Sequence, residues 1–381
     1  MNKISKKYKT IDLSNSSSTK NGYEDFMLKE IFEQPKAITN TVNKYILLNE
    51  KCNFPDFNLP KDILLNVKEI YIVACGTAMH AGLASKNTIE KLCKIPTYIE
   101  IASEFRYSDP IINNNTLCIF ISQSGETADT ISALKLAKEK GCTTIAITNV
   151  IGSSITREAD FSFYTYAGPE IAVASTKAYI CQIALICSFA IYLAQVLEST
   201  DFSILEDLNK ELLDLPKKIE MVLEKKERIR DITKQCYLEK NLFFLGRGID
   251  YATCLEGSLK LKEISYIHSE AYAGGELKHG PIALIEDGIY VVGILTDCKL
   301  ASKTISNLQE VITRGAKTFV ISNQKLPNNT FDFVFYIPNS STFLSPILSV
   351  IPLQLFAYYI SKQKGLDVDK PRNLAKSVTV E

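Results

Sequence analysis

Three hydroxyls, an amide and a glycine sit together in Ser122-Gln123-Ser124-Gly125-Glu126-Thr127. They follow the apolar run Leu117-Cys118-Ile119-Phe120-Ile121, which reads as a strand buried on both faces. From Ala128 to Lys140 the apolar residues Ala128, Ile131, Leu134, Leu136 and Ala137 recur at helical spacing. A strand therefore passes through a tight turn into a helix. Ser124 and Thr127 are placed to cap that helix, and Gly125 lets the backbone bend. The opening N–H groups of a helix lack partners and carry the positive end of its dipole. Ringed by the Ser122, Ser124 and Thr127 hydroxyls, they suit a phosphate. A plain capped turn needs one hydroxyl; three around a glycine, with Gln123 beside them, favour an anion site.

A second group of reactive side chains lies on Tyr251 to Pro281. Glu256, Lys260 and Glu263 fall at i, i+4 and i+7, on one side of a helix that starts after Gly248. Leu255, Leu259 and Ile264 are expected on the packing side. On spacing alone, a solvated Glu–Lys pair is the commoner fate of this pattern. The residues beyond this helix are unusual: His268-Ser269-Glu270, then Ala273-Gly274-Gly275-Glu276-Leu277-Lys278-His279-Gly280-Pro281, holding two of the three histidines. A neutral histidine and a carboxylate near a phosphate pocket are what proton transfer on a sugar requires. His80, at a helix start, is expected to be structural.

These groups need a frame that holds them. Ile70–Ala74, Thr97–Ile101, Leu117–Ile121, Thr143–Thr148 and Phe161–Thr165 read as strands with helices between them, and a helical pattern precedes them from Tyr23 to about Asn49. The first strand ends at Cys75-Gly76-Thr77-Ala78, with a helix from about Met79. Such βαβ alternation predicts a parallel sheet covered on both faces. The pattern then recurs. Asn241–Leu245 ends at Gly246-Arg247-Gly248, and Gly315–Asn323 echoes Gly141–Asn149. The second copy lacks the hydroxyl turn: Val291–Leu295 is followed by Thr296-Asp297-Cys298-Lys299. The division expected is a polar tail or linker over 1–22, a first α/β domain over 23–204, and a charged helical linker over 205–234. A second domain over 235–370 and a tail over 371–381 complete it.

Composition narrows the function. The 381 residues amount to about two to three domains. They are 46% apolar and 23% charged, enough for a large core, and the formal net charge is zero. No basic stripe marks nucleic acid as a partner. The ten cysteines show no CxxC spacing, and several lie in apolar runs. They read as reduced, buried thiols of a cytoplasmic protein, with no metal cluster. Ala178–Leu197 and Ile337–Ser361 carry no charge. Their glutamines, serines and prolines, and their equivalent places in the two copies, make them closing helices of each domain and not membrane spans.

From Tyr23 to Glu381 the chain resembles the isomerase half of the glucosamine-6-phosphate synthase family, the isomerizing glutamine–fructose-6-phosphate aminotransferases. The resemblance is carried by Phe26–Pro35, Cys75-Gly76-Thr77, Glu100–Tyr107, Ser122–Thr127, Val173-Ala174-Ser175-Thr176-Lys177, Leu259–Pro281 and Pro371–Glu381. It implies two tandem SIS domains, each a five-stranded parallel sheet between helices, in a homodimer without cofactor. Thr77, Ser122, Gln123, Ser124 and Thr127 would hold the sugar phosphate, and Val173 and Ser175 would touch the sugar. Glu263 would carry a proton between C1 and C2, with Lys260 and Glu256 positioning it. His279, supplied by the neighbouring subunit, would assist ring opening. Lys376, a plain tail lysine by sequence alone, would form a Schiff base with the open ketone, and Ala375 would lie near the ammonia entry.

Two departures stand out. Ala78 occupies a position where the family usually carries serine, so a hydroxyl near the ligand is lost. The glutaminase half has no counterpart before Tyr23, so ammonia is expected from solution or from a separate glutaminase. The expected reaction converts fructose 6-phosphate and ammonia to glucosamine 6-phosphate, or gives glucose 6-phosphate when ammonia is missing. A glucosamine-6-phosphate deaminase and a non-catalytic phosphosugar-binding regulator are the alternatives.

Overall fold

The computed structural model describes residues 19–47 and 51–380. Most of the expected polar tail, the end of the first helical stretch and Glu381 lie outside the described residues. The stretch from Tyr23 is not one helix but two, α1 (Phe26–Phe32) and α2 (Gln34–Tyr45). Pro35 stands in the first turn of α2, where a missing N–H leaves no helical bond unmade, and so favours a new helix start there. After the short α3 (Lys61–Leu65) comes the first sheet, from β1 (Glu69–Ala74), β2 (Thr97–Ile101), β3 (Thr116–Ile121), β4 (Thr143–Thr148) and β5 (Phe161–Tyr164). Between the strands run α4 (Gly76–Cys93), α5 (Ala102–Phe105), α6 (Ala128–Glu139) and α7 (Ser154–Glu158), and α8 (Lys177–Leu197) closes the unit. Two charged helices, α9 (Phe202–Leu223) and α10 (Lys226–Thr233), lead to the second sheet.

That sheet contains β6 (Asn241–Gly246), β7 (His268–Ala273), β8 (Tyr290–Leu295), β9 (Lys317–Ser322) and β10 (Phe333–Tyr336). Its helices are α11 (Ile249–Ser265), α12 (Ala301–Ile312) and α13 (Ser345–Gln363). All pairings are parallel. The strand orders, β2-β1-β3-β4-β5 and β7-β6-β8-β9-β10, are one topology used twice. The expected α/β fold of two five-stranded parallel sheets between helices is the one observed. In each sheet the order reverses beside the first strand. The crevice outside the carboxyl ends of β1 and β3, or of β6 and β8, is where such sheets take ligands.

The two units share a helical core. α4 packs on α8, α11 on α13, and α4 on α11 across the junction. By length and composition α8 could cross a membrane, but its residues from Lys177 to Ile191 are buried inside the protein, which is the setting of a core helix. α11 inverts the expected amphipathic pattern. Glu256 and Lys260 have fully buried side chains, while Leu255 and Leu259 are half-exposed. The helix lies between two others, so its polar side faces α4 and not water. The approach to α13 is close: a Cβ on Gly257 would lie 2.5 Å from Leu353 Cδ1.

At the second crevice, Asp250 at the start of α11 turns its carboxylate onto the end of β8. Its Oδ2 accepts the N–H of Thr296 at 2.9 Å and that of Asp297 at 3.4 Å, and Oδ1 accepts the Thr296 hydroxyl. Burial pushes the Asp250 carboxyl up to about 6 despite these donors.

Candidate active site

At the first crevice β3 delivers Ser122 at its end. The Ser122 hydroxyl accepts the Gly125 N–H at 3.0 Å and pairs with the Thr127 hydroxyl at 2.9 Å; the Ser124 hydroxyl accepts the Glu126 N–H at 3.2 Å. Thr127 stands at the N-cap of α6, yet its side chain caps no helical N–H. Neither hydroxyl therefore acts as the cap that the sequence implies; they brace the turn against itself. Gly125 is held at φ +69°, and a Cβ there would fall 2.1 Å from Ser153 Oγ. Both the backbone angle and the space exclude other residues.

This turn is one wall of a cavity of about 340 Å3. Cys75, Gly76, Thr77 and Ala78 from the end of β1 form another wall, with Val173, Ser175 and Gln182 opposite. Glu263 comes from α11, and Leu374, Ala375, Lys376, Ser377 and Val378 come from the C-terminal tail. Gln182 gives no signal in the sequence beyond being polar within an apolar helix. Wider hollows of about 590 and 660 Å3 lie beside α9 and hold no candidate residue.

Behind Thr77 lies a buried charged chain. Lys260 Nζ is 2.5 Å from Glu263 Oε2 and 3.5 Å from Glu256 Oε1. It donates to the Thr77 hydroxyl at 3.1 Å, which in turn donates to Glu256 Oε1 at 3.1 Å. Burial alone would lower the pKa of the Lys260 ammonium. Glu263 and Glu256 outweigh it and raise the ammonium above its ordinary range, so the lysine stays charged. The other Glu256 oxygen meets His80 Nδ1 at 2.8 Å. His80 is thus a buried tie between the two domains, in keeping with the structural part expected of it.

The tail is clamped in several places. The Asp369 carboxylate accepts the N–H groups of Phe26 and Met27 at 2.9 and 2.8 Å, and the Arg372 guanidinium lies 4.1 Å above the Tyr266 ring. Farther on, the Val378 carbonyl accepts the Ala128 N–H at 3.2 Å, so the tail touches the first turn of α6. Between these points Lys376 Nζ donates to Glu170 Oε2 at 2.7 Å and to the Ala172 carbonyl at 2.8 Å. Burial would raise the Glu170 carboxyl, but Lys376 and the N–H groups of Thr176 and Ala178 hold it well below the usual carboxylate range.

Glu30 on α1 accepts the N–H groups of Ile171 and Ala172. Burial, and then the nearby Glu170, push it up from 4.5 to about 8. The folded protein therefore keeps a proton that the unfolded chain releases near 4.5. The resulting stability is full below that value and is lost as pH rises through about 8. Melting temperature is expected to fall from about pH 5 to about pH 8, and Glu30→Gln to flatten that slope. Thermal unfolding of both proteins over the range is the check; parallel slopes would remove Glu30 as the cause.

Ten candidates meet at the cavity: Thr77, Ser122, Gln123, Ser124, Thr127, Val173, Ser175, Glu263, Ala375 and Lys376. Glu256 and Lys260 stand directly behind. The solvated Glu–Lys pair that spacing favours is not what forms. His279 is exposed at the end of a 3-10 turn (Glu276–His279) and does not line the cavity of its own chain.

Known proteins resemble this chain in sequence and in fold. The family model described as "SIS domain" matches residues 63–192 and 237–361. The isomerizing glutamine–fructose-6-phosphate aminotransferase of Clostridium tetani is 55% identical over 367 residues, covering 96% of this chain and 60% of that protein. Its counterpart in Clostridium perfringens is 52% identical over 384 residues, covering 100% and 63%. The chain thus spans somewhat under two thirds of these relatives. The solved C-terminal domain of glucosamine-fructose-6-phosphate aminotransferase from Francisella tularensis superposes with a TM-score of 0.88 at 39% identity, covering 93% of this chain and 100% of that one. A glucosamine-6-phosphate deaminase from Thermotoga maritima shares the fold at 22% identity with a TM-score of 0.72.

Proposed function

We propose a function from one premise: the chain belongs to the SIS-domain family, and within it to the isomerase domains of glutamine–fructose-6-phosphate aminotransferases. It converts fructose 6-phosphate and ammonia to glucosamine 6-phosphate and water, and without ammonia it interconverts fructose and glucose 6-phosphates. The observation that carries this reading is the convergence of the hydroxyl turn, Glu263 and Lys376 on one cavity. An anion cradle, an acid–base carboxylate and an amine are the three groups the reaction needs.

The phosphate rests among Thr77, Ser122, Gln123, Ser124 and Thr127. Binding energy there is spent far from the reacting carbons and serves to position them. Lys376 adds to the C2 carbonyl of the open-chain ketose, and loss of water gives an imine. Ammonia then adds at that carbon and the Lys376 amine leaves, so C2 carries a C=NH group and the lysine is free again. This ketimine, or the open ketone itself when ammonia is missing, acidifies the C1 hydrogen. Glu263, half-desolvated, takes that proton and returns it at C2. Lys260 and Glu256 keep its carboxylate aimed, and Val173 and Ser175 border the sugar. Ala375 sits beside the nitrogen's approach. The exposed position of His279 supports its use by a second copy in a homodimer, where it would open the sugar ring. The ammonia comes from solution or from a glutaminase, and the thiols of the core suit the cytoplasm.

Purified protein with fructose 6-phosphate and ammonium is expected to release glucosamine 6-phosphate, and with fructose 6-phosphate alone to release glucose 6-phosphate. Binding of the sugar with neither product formed would convert the reading to a phosphosugar sensor.

A further inference from the structure

We propose that Glu170 is a positioning residue for Lys376: it pairs with the amine and holds it in place before the sugar binds, and it is the counter-charge of the iminium formed afterwards. This rests on the function proposed above. The Glu170 side chain is fully buried. Its Oε1 accepts the N–H groups of Thr176 and Ala178, at 2.9 and 3.1 Å, where α8 begins. That oxygen is fixed by backbone, so the carboxylate cannot turn. Its Oε2 is left for two side chains, Ser175 Oγ at 2.9 Å and Lys376 Nζ at 2.7 Å.

The surrounding charges leave Lys376 little else to face. Lys177 on α8 is ion-paired to Glu33 at 2.6 Å, and Lys260 on α11 is held by Glu263 and Glu256. Glu30 on α1 remains protonated up to about 8. Glu170 is the carboxylate in contact with the amine.

The chemistry requires such a partner at both ends of the step. An ammonium and a ketone give an iminium and water. The ammonium gives up one proton to become nucleophilic, its nitrogen pair bonds C2, and the carbonyl oxygen leaves as water with two of the three original protons. Nitrogen is cationic before and after, and only the neutral amine between is without its counter-ion. A fixed carboxylate therefore slows casual reaction of Lys376 with carbonyl compounds while stabilising the iminium once a correctly held ketose has formed it.

The test is Glu170→Gln, whose amide oxygen can still accept the Thr176 and Ala178 N–H groups while the charge is gone. At about pH 7.5, reductive methylation of Lys376 by formaldehyde and cyanoborohydride, followed by peptide mass spectrometry, is expected to run roughly tenfold faster than in the parent protein. Turnover of fructose 6-phosphate is expected to fall by about 10- to 100-fold with KM within about threefold. A purely structural residue would not move these two readings in opposite directions. Methylation that is unchanged or slower overturns the proposal. If that variant does not fold, the same readings on Glu170→Asp decide: its shorter side chain loosens the contact, so methylation rises and turnover falls. Equal methylation there also overturns it. Borohydride with fructose 6-phosphate should trap Lys376 in the parent protein. Failure to trap would overturn the reaction proposed for the site, whereas methylation needs no sugar and still reports on Glu170.

Discussion

Lys376→Arg is expected to abolish glucosamine 6-phosphate formation, lowering kcat by about a thousandfold or more, while fructose 6-phosphate still binds within a few-fold of the parent affinity. The substitution retains a cation beside Glu170, whose side chain is fully buried. It avoids leaving that carboxylate unpaired, a fault that by itself costs about 3–5 kcal/mol in a dry site. A guanidinium does not form an imine, so the loss isolates covalent chemistry from stability. Steady-state kinetics and calorimetric titration with fructose 6-phosphate are the measurements. Residual turnover within tenfold of the parent would remove Lys376 from the reaction.

The second large effect is at Glu263. Glu263→Gln should cost about 10²- to 10⁴-fold in both amination and isomerisation, because the proposed reaction uses it as the proton carrier in both. The phosphate turn is untouched, so binding should persist. The decisive contrast is with Lys376→Arg: borohydride should still trap the sugar on Lys376 in Glu263→Gln and trap nothing in Lys376→Arg. Exchange of the C1 hydrogen with deuterated solvent should vanish in Glu263→Gln. If Glu263→Gln exchanged that hydrogen at the parent rate, another base would have to be sought. Some stability is also expected to go, since Lys260 has no solvent exposure and would keep only Glu256, at 3.5 Å, as a carboxylate partner.

The parts of the molecule legible in the sequence are those governed by local periodicity. Fully buried strands such as β3 and β8 are unbroken apolar runs. The repetition of strand, glycine and helix gives the duplicated architecture, and the hydroxyl turn shows itself by composition. The losses have one cause, contact between distant segments. α11 reads as carrying a wet charged face because a helical pattern does not say what lies opposite, and here α4 lies opposite. His80, expected to be structural, is buried, and its partner is a glutamate on the other domain that its own stretch of sequence does not show. Glu170 goes unmarked because it stands in an aperiodic stretch, Ala167-Gly168-Pro169-Glu170-Ile171-Ala172. The one local hint is an acid shortly before the Ser175-Thr176-Lys177 helix start, where a carboxylate can receive opening N–H groups. The family resemblance supplies Lys376, which no physical pattern in the tail singles out.

The two crevices meet different fates. Counting from the strand ends, Asp250 stands in the second unit where Ala78 stands in the first, and Thr296 where Ser122 stands. The donors that could have gripped a visitor at the end of β8 already hold a resident, the carboxylate of the chain itself. Duplication thus gave two seats, and one is filled from within. Among the described residues the candidate groups gather at the other seat, to which the second unit lends its helix as a tool.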